Sequence, residues 1–339
     1  PDGDGMWIDA RGRAGLVHRR LAIIDPGPGA GQPMELEGES KSHLIISYNG
    51  EIYNFRALRQ ELENDGRRFR TQSDTEVLLH LYDAYGPDMV YRLRGMFAFA
   101  IWDEGRRGLF MARDPFGIKP LYFADDGKQL RAASQVKALI AGGGLTLSPG
   151  PAGHVGFFLF GYIPEPHTLH TQIKSLPAGS HLWLDEDGQR REVRYFSPQK
   201  ILAEAGPPPP PDETRELLAT ALTDSVSHHL VADVPVGLFL SAGLDSAALT
   251  ALASEAGAKD LQTVTLAFDE FKGTPRDEAP LAQRLAEIYQ TDHETRRVAG
   301  ADFKQDLASL LSAMDQPSID GVNSYFVAKA AARRGLKVA

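Results

Sequence analysis

Two stretches of this chain place reactive groups at short, fixed spacings. In the first, the apolar run Val236-Gly237-Leu238-Phe239-Leu240 enters Ser241-Ala242-Gly243, and Leu244-Asp245-Ser246-Ala247-Ala248-Leu249 leaves it with a helical pattern that continues through Leu252. A strand, a tight turn and a helix are expected in direct succession. The first amides of a helix have no intrahelical partners and lie at the positive end of its dipole, so such a turn attracts phosphate. Gly243 admits a close approach, and Ser241 and Ser246 offer hydroxyl donors. Asp245 would repel phosphate directly and reaches it through Mg²⁺. The patterns G-x-x-x-x-G-K-[ST] and G-x-G-x-x-G are both absent, which excludes those two loop types. An ordinary glycine turn between strand and helix stays open as the structural alternative. The second stretch is Asn49-Gly50, between two apolar runs. It reads either as a type I′ hairpin turn or as an oxyanion hole, in which a side-chain amide and an exposed backbone N–H point at a developing negative oxygen.

Composition limits the partners. The 339 residues carry a net charge of -9 and no basic cluster, which argues against nucleic acid and leaves any phosphate to local dipoles and donors. Cysteine is absent, so disulfides, Cys-type zinc sites and thiol catalysis are excluded for the chain as it stands. The most apolar stretch, Val155 to Ile163, is shorter than the roughly 20 residues that span a bilayer and contains two glycines. The opening Pro1-Asp2-Gly3-Asp4-Gly5 is unlike a secretory signal, so a cytoplasmic location is expected. His228-His229 suits a helix C-terminus better than a metal, and His167 and His170 lie among prolines with no third ligand nearby.

The length suits two domains. The first half is strand-rich. Leu16 to Ile24 is an apolar run, followed by a Pro/Gly-rich loop from Pro26 to Pro33 and a strand from Leu44 to Tyr48. A helix is expected over Phe55 to Asn64. Ser73-Asp74-Thr75-Glu76 is a capping box that opens another, with Val77, Leu78, Leu81 and Tyr85 as its buried side. Met96 to Trp102 and Leu109 to Ala112 read as a hairpin, and Phe116 to Phe123 continues the β tendency. After Tyr195-Phe196 the stretch 203–211 contains five consecutive prolines and divides the chain. The domains are therefore read as 1–202 and 212–339. A helix over Glu213 to Leu230 carries Leu217, Leu218, Ala221, Leu222 and Val226 at core spacing. Beyond the phosphate turn, strands at Leu261 to Phe268 and Thr295 to Val298 alternate with helices at Glu278 to Tyr289, Phe303 to Met314 and Val322 to Arg334, ending on Leu336-Lys337-Val338-Ala339. That alternation is a doubly wound parallel sheet, whose ligands bind past the carboxyl ends of its strands.

Ser241-Ala242-Gly243-Leu244-Asp245-Ser246 resembles the S-G-G-x-D-S pyrophosphate loop of the ATP pyrophosphatase family, with Ala242 in place of the first glycine. That methyl would be harmful if the position needs positive φ. Four further segments, His18 to Asp25, Asn49 to Asn54, Ser73 to Glu76 and Ala112 to Leu121, occur in order and together resemble a class II glutamine amidotransferase domain, an N-terminal-nucleophile hydrolase with an αββα sandwich. The two in succession resemble the glutamine-dependent asparagine synthetase family. The resemblance implies that Arg20 grips the α-carboxylate of glutamine, that Glu51 and Asp74 hold its α-ammonium group, that Leu21 and Ile24 line the site, and that Asn49 and the Gly50 N–H form the oxyanion hole. Taken singly, Arg20 reads as a surface ion and Asp74 as a helix cap. The family's nucleophile is an N-terminal Cys; Pro1-Asp2-Gly3-Asp4-Gly5 resembles a segment that follows it, so the sequence reads as starting late, and as incomplete at its C-terminus.

By the same resemblance ATP is held by Leu240, Ser241, Ala242, Gly243, Leu244, Asp245, Ser246 and Leu266, with core packing as the alternative for both leucines at strand ends. Asp315 to Asp320 and Asn323 resemble a stretch near the second substrate, with no individual roles implied. The implied reaction converts aspartate, glutamine and ATP to asparagine, glutamate, AMP and pyrophosphate through a β-aspartyl adenylate. A carboxylate needs a leaving group before ammonia can displace it, and free ammonia would protonate in water, so a closed path between the domains is expected. A β-lactam-synthetase-like cyclase, an amidotransferase for another carboxylate and a catalytically dead homologue stay open, as does a homodimer.

Overall fold

The computed structural model describes residues 2–37, 42–258 and 260–339. They fall into two compact units, Pro1–Ala205 and Gly206–Ala339. In the first unit β1 (Gly3–Ile8) and β2 (Gly15–Arg20) form an antiparallel ribbon. Next come β3 (Met34–Glu37), β4 (His43–Ile52), α1 (Phe55–Asn64), α2 (Asp74–Tyr85), β5 (Gly95–Asp103) and β6 (Gly108–Arg113). They are followed by β7 (Tyr122–Asp125), β8 (Leu130–Ala133), α3 (Val136–Ala141), α4 (Pro151–Phe160), β9 (Ile173–Ser175), β10 (Ser180–Asp185), β11 (Arg190–Arg194) and α5 (Pro198–Glu204). One sheet has the order β11-β10-β6-β5-β4-β3, and a second has the order β8-β7-β9.

The alternation of side chains along β5 sets the layers. Phe99 faces Phe110 of β6, which stacks on Tyr82 of α2, so the helices cover that side. Ala98 packs with Phe123 of β7, and Trp102 with Leu16 of β2 and with Ile45. Ala124, the next residue of β7, turns the other way and packs with Val136 and Leu139 of α3. Helix, sheet, sheet and helix follow in order, which is the expected αββα sandwich.

Several local expectations are corrected. Asn49-Gly50 is no turn: β4 runs straight through it, with Asn49 opposite Ala98 and Gly50 opposite Phe97. The first apolar run leaves the sheet at Arg20 and does not reach Ile24, because Arg20 gathers the following carbonyls around its guanidinium. Asp114 to Leu121 is a loop, and β7 starts only at Tyr122. Helix α2 buries all of Asp74 to Tyr82, whereas Tyr85 is exposed. Ser73 caps α2 by accepting from the Thr75 amide, but Glu76 does not complete a capping box: it accepts from the amides of Arg70 and Thr71. Val155 to Phe160 lies in α4, and Phe158 is 84% exposed.

In the second unit α6 (Pro211–His229) starts at the last of the five prolines, a position that has no use for an amide hydrogen. It is followed by β12 (Gly237–Phe239), α7 (Leu244–Glu255), β13 (Gln262–Phe268), α8 (Ala279–Ile288), β14 (Asp292–Val298), α9 (Gly300–Ala313) and α10 (Gly321–Arg333). The strands are parallel in the order β12-β13-β14, and Val338 bridges to Val236 in parallel beside β12. Leu238 packs near Val226 of α6 and Ala253 of α7, and Leu240 packs on Ala282 and Ala286 of α8. Val264 packs on Ala330 and Ala331 of α10. Helices thus cover both faces, as a doubly wound sheet requires. On α6 the expected core stripe fails: Leu217, Leu218 and Leu222 are about half exposed, and Val226 alone is buried.

Candidate functional site

In the first unit the candidate residues lie at the end of β2 and the loop after it, in the last part of β4 and at the start of α2. The Arg20 guanidinium donates through Nη1 to the Gly27 carbonyl (3.2 Å) and through Nη2 to those of Ile24 (3.0 Å) and Asp25 (2.6 Å). Three of its five N–H groups therefore build the loop, and among the described residues Nε–H and one hydrogen of Nη1 have no hydrogen-bond partner. Asp25 in turn accepts from the Gln72 amide (2.8 Å), which ties this loop to the residues that lead into α2. Ala22 donates its amide to Asp2 Oδ2 (2.9 Å). Pro1, also part of the opening segment, lies outside the described residues. Leu21 is exposed and Ile24 is buried.

Gly50 sits in β4 where no side chain fits. A Cβ there would lie 2.2 Å from the Met96 carbonyl oxygen, 2.7 Å from Phe97 Cα and 2.8 Å from Tyr48 Cε2. Its backbone group also has a definite direction. Phe97, its partner on β5, spends both main-chain groups on Asp114: its amide donates to Oδ2 (3.2 Å) and its carbonyl accepts from the Asp114 amide (2.8 Å). The Gly50–Phe97 pair is therefore a non-hydrogen-bonded one, and the N–H groups of Tyr48, Gly50 and Ile52 all leave β4 on the edge away from β5. The Tyr48 amide donates to Gln32 Oε1 (2.7 Å) and the Ile52 amide to Asp74 Oδ2 (3.0 Å). β3 stops pairing at Met34 opposite Ile46, so the Gly50 N–H lies beyond the end of that ladder, between two occupied neighbours.

Asp74 and Glu51 are buried carboxylates. Asp74 Oδ2 also accepts from the Tyr48 hydroxyl (2.9 Å), and Oδ1 meets Ser73 Oγ at a long 3.4 Å. Burial pushes the Asp74 carboxyl up, against the pull of the Ile52 amide and the Tyr48 hydroxyl. Glu51 is raised by burial and by the charge of Asp74, with Lys119 opposing. Two acids held in this way create a local demand for a cation. The strand period places Asn49 and Glu51 on the face of β4 that also carries Ser47, whose hydroxyl donates to the Val17 carbonyl of β2 (3.2 Å). His18 is held neutral there, lowered to about 4 by burial and by Arg20.

Some of the residues that build this site had no role in the sequence reading. Tyr48 reads as a core aromatic within an apolar run, and Gln32 as part of a Pro/Gly loop. Gln32 nevertheless spans Tyr48 and Thr75 Oγ1 (3.3 Å). Asp114, fully buried, accepts from the amides of Phe97, Phe116, Ile118 and Lys119, which fixes the loop that carries Lys119.

In the second unit Leu240 directly follows β12, Ser241 and Ala242 turn, and Gly243 caps α7. The hydroxyls of Ser241 and Ser246 are 2.8 Å apart, and the Gly243 amide donates to Ser241 Oγ (3.1 Å). Ala242 is absent from the residues with positive φ, so its methyl causes no backbone strain. Gly243 itself has φ -73°, and a Cβ on it would meet only Ser241 Oγ, at 3.2 Å. Leu244 is 89% exposed, and Asp245 is exposed on the first turn of α7. Leu240 is buried against α8, while Leu266 is half-buried near Val298, Leu310 and Phe326. β12 lies between β13 and the Val338 segment, where the chain reverses its direction of progress across the sheet, and the turn leaves the carboxyl end of that strand. Among the described residues no three His, Asp or Glu side chains could jointly hold a metal. Mg²⁺ fits Asp245 only in the manner usual for that ion, with one carboxylate and the rest of its shell from phosphate and water.

Residues 1–196 match a family described as glutamine amidotransferase domain, and residues 217–339 match asparagine synthase. The asparagine synthetase [glutamine-hydrolyzing] 1 of Bacillus subtilis (strain 168) is 35% identical over 336 residues, 98% of this chain and 50% of that protein. Asparagine synthetase [glutamine-hydrolyzing] 3 of the same organism is 33% identical over 336 residues, 96% of this chain and 53% of that protein. Asparagine synthetase B [glutamine-hydrolyzing] of Escherichia coli (strain K12) is 38% identical over 263 residues, 77% of this chain and 40% of that protein. The chain thus spans about half the length of the curated relatives it matches.

Proposed function

The chain belongs to the glutamine amidotransferase domain family, and from that premise we propose that it serves the ATP-dependent synthesis of asparagine from aspartate, with glutamine as nitrogen donor. The observation that carries the reading is the edge of β4: the Gly50 N–H emerges between amides already taken by Gln32 and Asp74, next to two buried carboxylates. An amide substrate whose α-ammonium group meets Glu51 and Asp74 brings its carbonyl to the donors of Asn49 and Gly50. Such donors lower the barrier by on the order of 2.7–4 kcal/mol each when charge develops on the carbonyl oxygen. The spare N–H groups of Arg20 suit the α-carboxylate. The attacking thiol that this family uses is supplied by no residue of this sequence.

In the second unit the α7 N-terminus, Ser241 and Ser246 bind the pyrophosphate of ATP, with Leu240, Ala242, Leu244 and Leu266 beside the nucleotide. Gly243 supports this role because its φ is ordinary and a Cβ there would meet only the Ser241 hydroxyl, so the fold itself does not demand glycine. Asp245 would hold Mg²⁺, which neutralises phosphate charge and the leaving pyrophosphate. Attack by the aspartate β-carboxylate on the α-phosphorus forms an acyl-adenylate, and ammonia then displaces AMP. No described helix is long and apolar enough to cross a membrane. A cytoplasmic location, a homodimer, and the division into 1–202 and 212–339 about a 203–211 linker belong to the proposal.

The test is a product analysis of the native gene product with ATP, aspartate and either glutamine or ammonium. Asparagine, AMP and pyrophosphate in equal amounts are expected. AMP without glutamine consumption would favour a cyclase, amidation of a different carboxylate another acceptor, and no nucleotide turnover a dead homologue.

A further inference from the structure

We propose that the Tyr48 hydroxyl is a positioning group for glutamine, holding Asp74 in the orientation that receives the α-ammonium group. The inference rests on the reading of Asp74 given above and extends it to a residue with no other assignment. Packing does not need this hydroxyl. The Tyr48 ring is 3% exposed and runs beneath Gly50, with Cε2 close enough to block any side chain there. Phenylalanine would fill the same space without burying a polar atom, a burial that is unfavourable unless a hydrogen bond compensates it. Here the hydroxyl reaches Asp74 Oδ2 at 2.9 Å, and the Ile52 amide reaches the same oxygen at 3.0 Å.

Two donors on Oδ2 fix the rotation of the carboxylate. Oδ1, which Ser73 Oγ meets only at a long 3.4 Å, keeps acceptor capacity for a cation. The donor is itself anchored, since the Tyr48 amide is held by Gln32 Oε1 at 2.7 Å. Tyr48 thus touches both ends of the candidate site: its ring abuts Gly50 of the oxyanion hole, and its hydroxyl abuts Asp74. Burial and the charge of Asp74 push the phenol well above its ordinary range, so it stays a donor throughout the working pH.

The test measures binding, so it does not depend on turnover. Titration calorimetry on the full chain compares glutamine with 4-carbamoylbutanoate, which lacks the α-amino group, in the wild type, Tyr48→Phe and Asp74→Asn. The wild type should prefer glutamine. Tyr48→Phe should raise the glutamine Kd about tenfold, the size expected for one hydrogen bond to a charged group. The Kd of the analogue should stay unchanged. Equal weakening of both ligands, or of neither, would overturn the proposal, because a packing role cannot distinguish them. Partial misfolding lowers the number of sites and leaves the ratio of the two Kd values intact. Asp74→Asn separates the two levels of argument. If it abolishes the preference for glutamine while Tyr48→Phe retains it, the Tyr48 role alone falls. If the preference survives Asp74→Asn, the reading of Asp74 falls and takes the Tyr48 role with it.

Discussion

Gly50 and Gly243 both stand at candidate sites, yet the backbone demands glycine at only one of them. At Gly50 a methyl would sit 2.2 Å from a carbonyl oxygen of β5, and φ is 156°. Gly50→Ala must therefore part the two strands, and we expect it to lower stability by about 3 kcal/mol, toward the upper end of overpacking effects. A shift of the urea midpoint measures this. At Gly243, φ is ordinary and a Cβ would meet only the Ser241 hydroxyl, at 3.2 Å, a side-chain contact that can give way. Gly243→Ala should change stability by less than about 1 kcal/mol, the scale of an N-cap exchange. It should nevertheless weaken ATP binding about tenfold, because the methyl occupies the space into which phosphate would approach. An unchanged ATP affinity would remove Gly243 from the phosphate role. The presence of these glycines was legible in the sequence, but the reason for Gly50 was not: it lies in Met96 and Phe97, strand partners far along the chain. The same holds for Arg20, whose carbonyl partners follow from a loop conformation that side-chain pattern does not encode.

Among the elements, α2 is the one that carries a charge-dependent prediction. Its Ser73 cap was legible from residue type and spacing, whereas the partners of Glu76 were not, since they belong to the preceding loop. The Glu76 side chain is 1% exposed and accepts from the amides of Arg70 and Thr71 and from Thr71 Oγ1. Burial alone would raise its carboxyl, but His80 alongside and these donors outweigh it and hold the group at about 2, below its ordinary 4.5. A folded-state pKa below the unfolded one stabilises above the unfolded value, so this contribution, on the order of 3 kcal/mol, is complete above about pH 4.5 and fades as the pH falls towards 2. Urea midpoints at pH 7, 5 and 3 should fall steeply between the last two. Glu76→Gln should lower the midpoint at pH 7 and flatten that acid limb; parallel curves for the two proteins would refute the assignment. Elsewhere the periodicity was a better guide inside a sheet than on a lone face. β5 and β6 were legible because both of their faces are buried, but the leucine spacing of α6 did not specify burial, since a stripe states only that one side is apolar.

At the scale of the whole molecule the proposed function divides its chemistry between the two units, and this division makes the assignment testable. In the proposed reaction adenylation turns an inert carboxylate into an electrophile, and we assign that step to the turn after β12, where the Ser241 and Ser246 hydroxyls meet and Asp245 lies on the first turn of α7. The proposed nitrogen release is assigned to the edge of β4 and the start of α2, where the Ile52 amide holds Asp74 near Gly50. External ammonium at high pH supplies the free amine directly, so it bypasses the second requirement and not the first. In the native gene product Asp74→Ala should therefore reduce glutamine-driven synthesis at least 100-fold, while ammonia-driven synthesis stays within twofold of the wild type, because a buried carboxylate that meets a substrate charge is worth about 3 kcal/mol or more. Asp245→Asn should slow pyrophosphate release about tenfold or more with either nitrogen source, since it weakens a metal contact that both routes share. The two variants measured with both donors form a square of four rates. A loss of both activities in Asp74→Ala, with the protein still folded, would mean that the first unit takes part in adenylation and would overturn the division of labour. Pyrophosphate release unchanged in Asp245→Asn would leave the phosphate to the α7 dipole and the two serines alone, and would end the argument for Mg²⁺ at that residue.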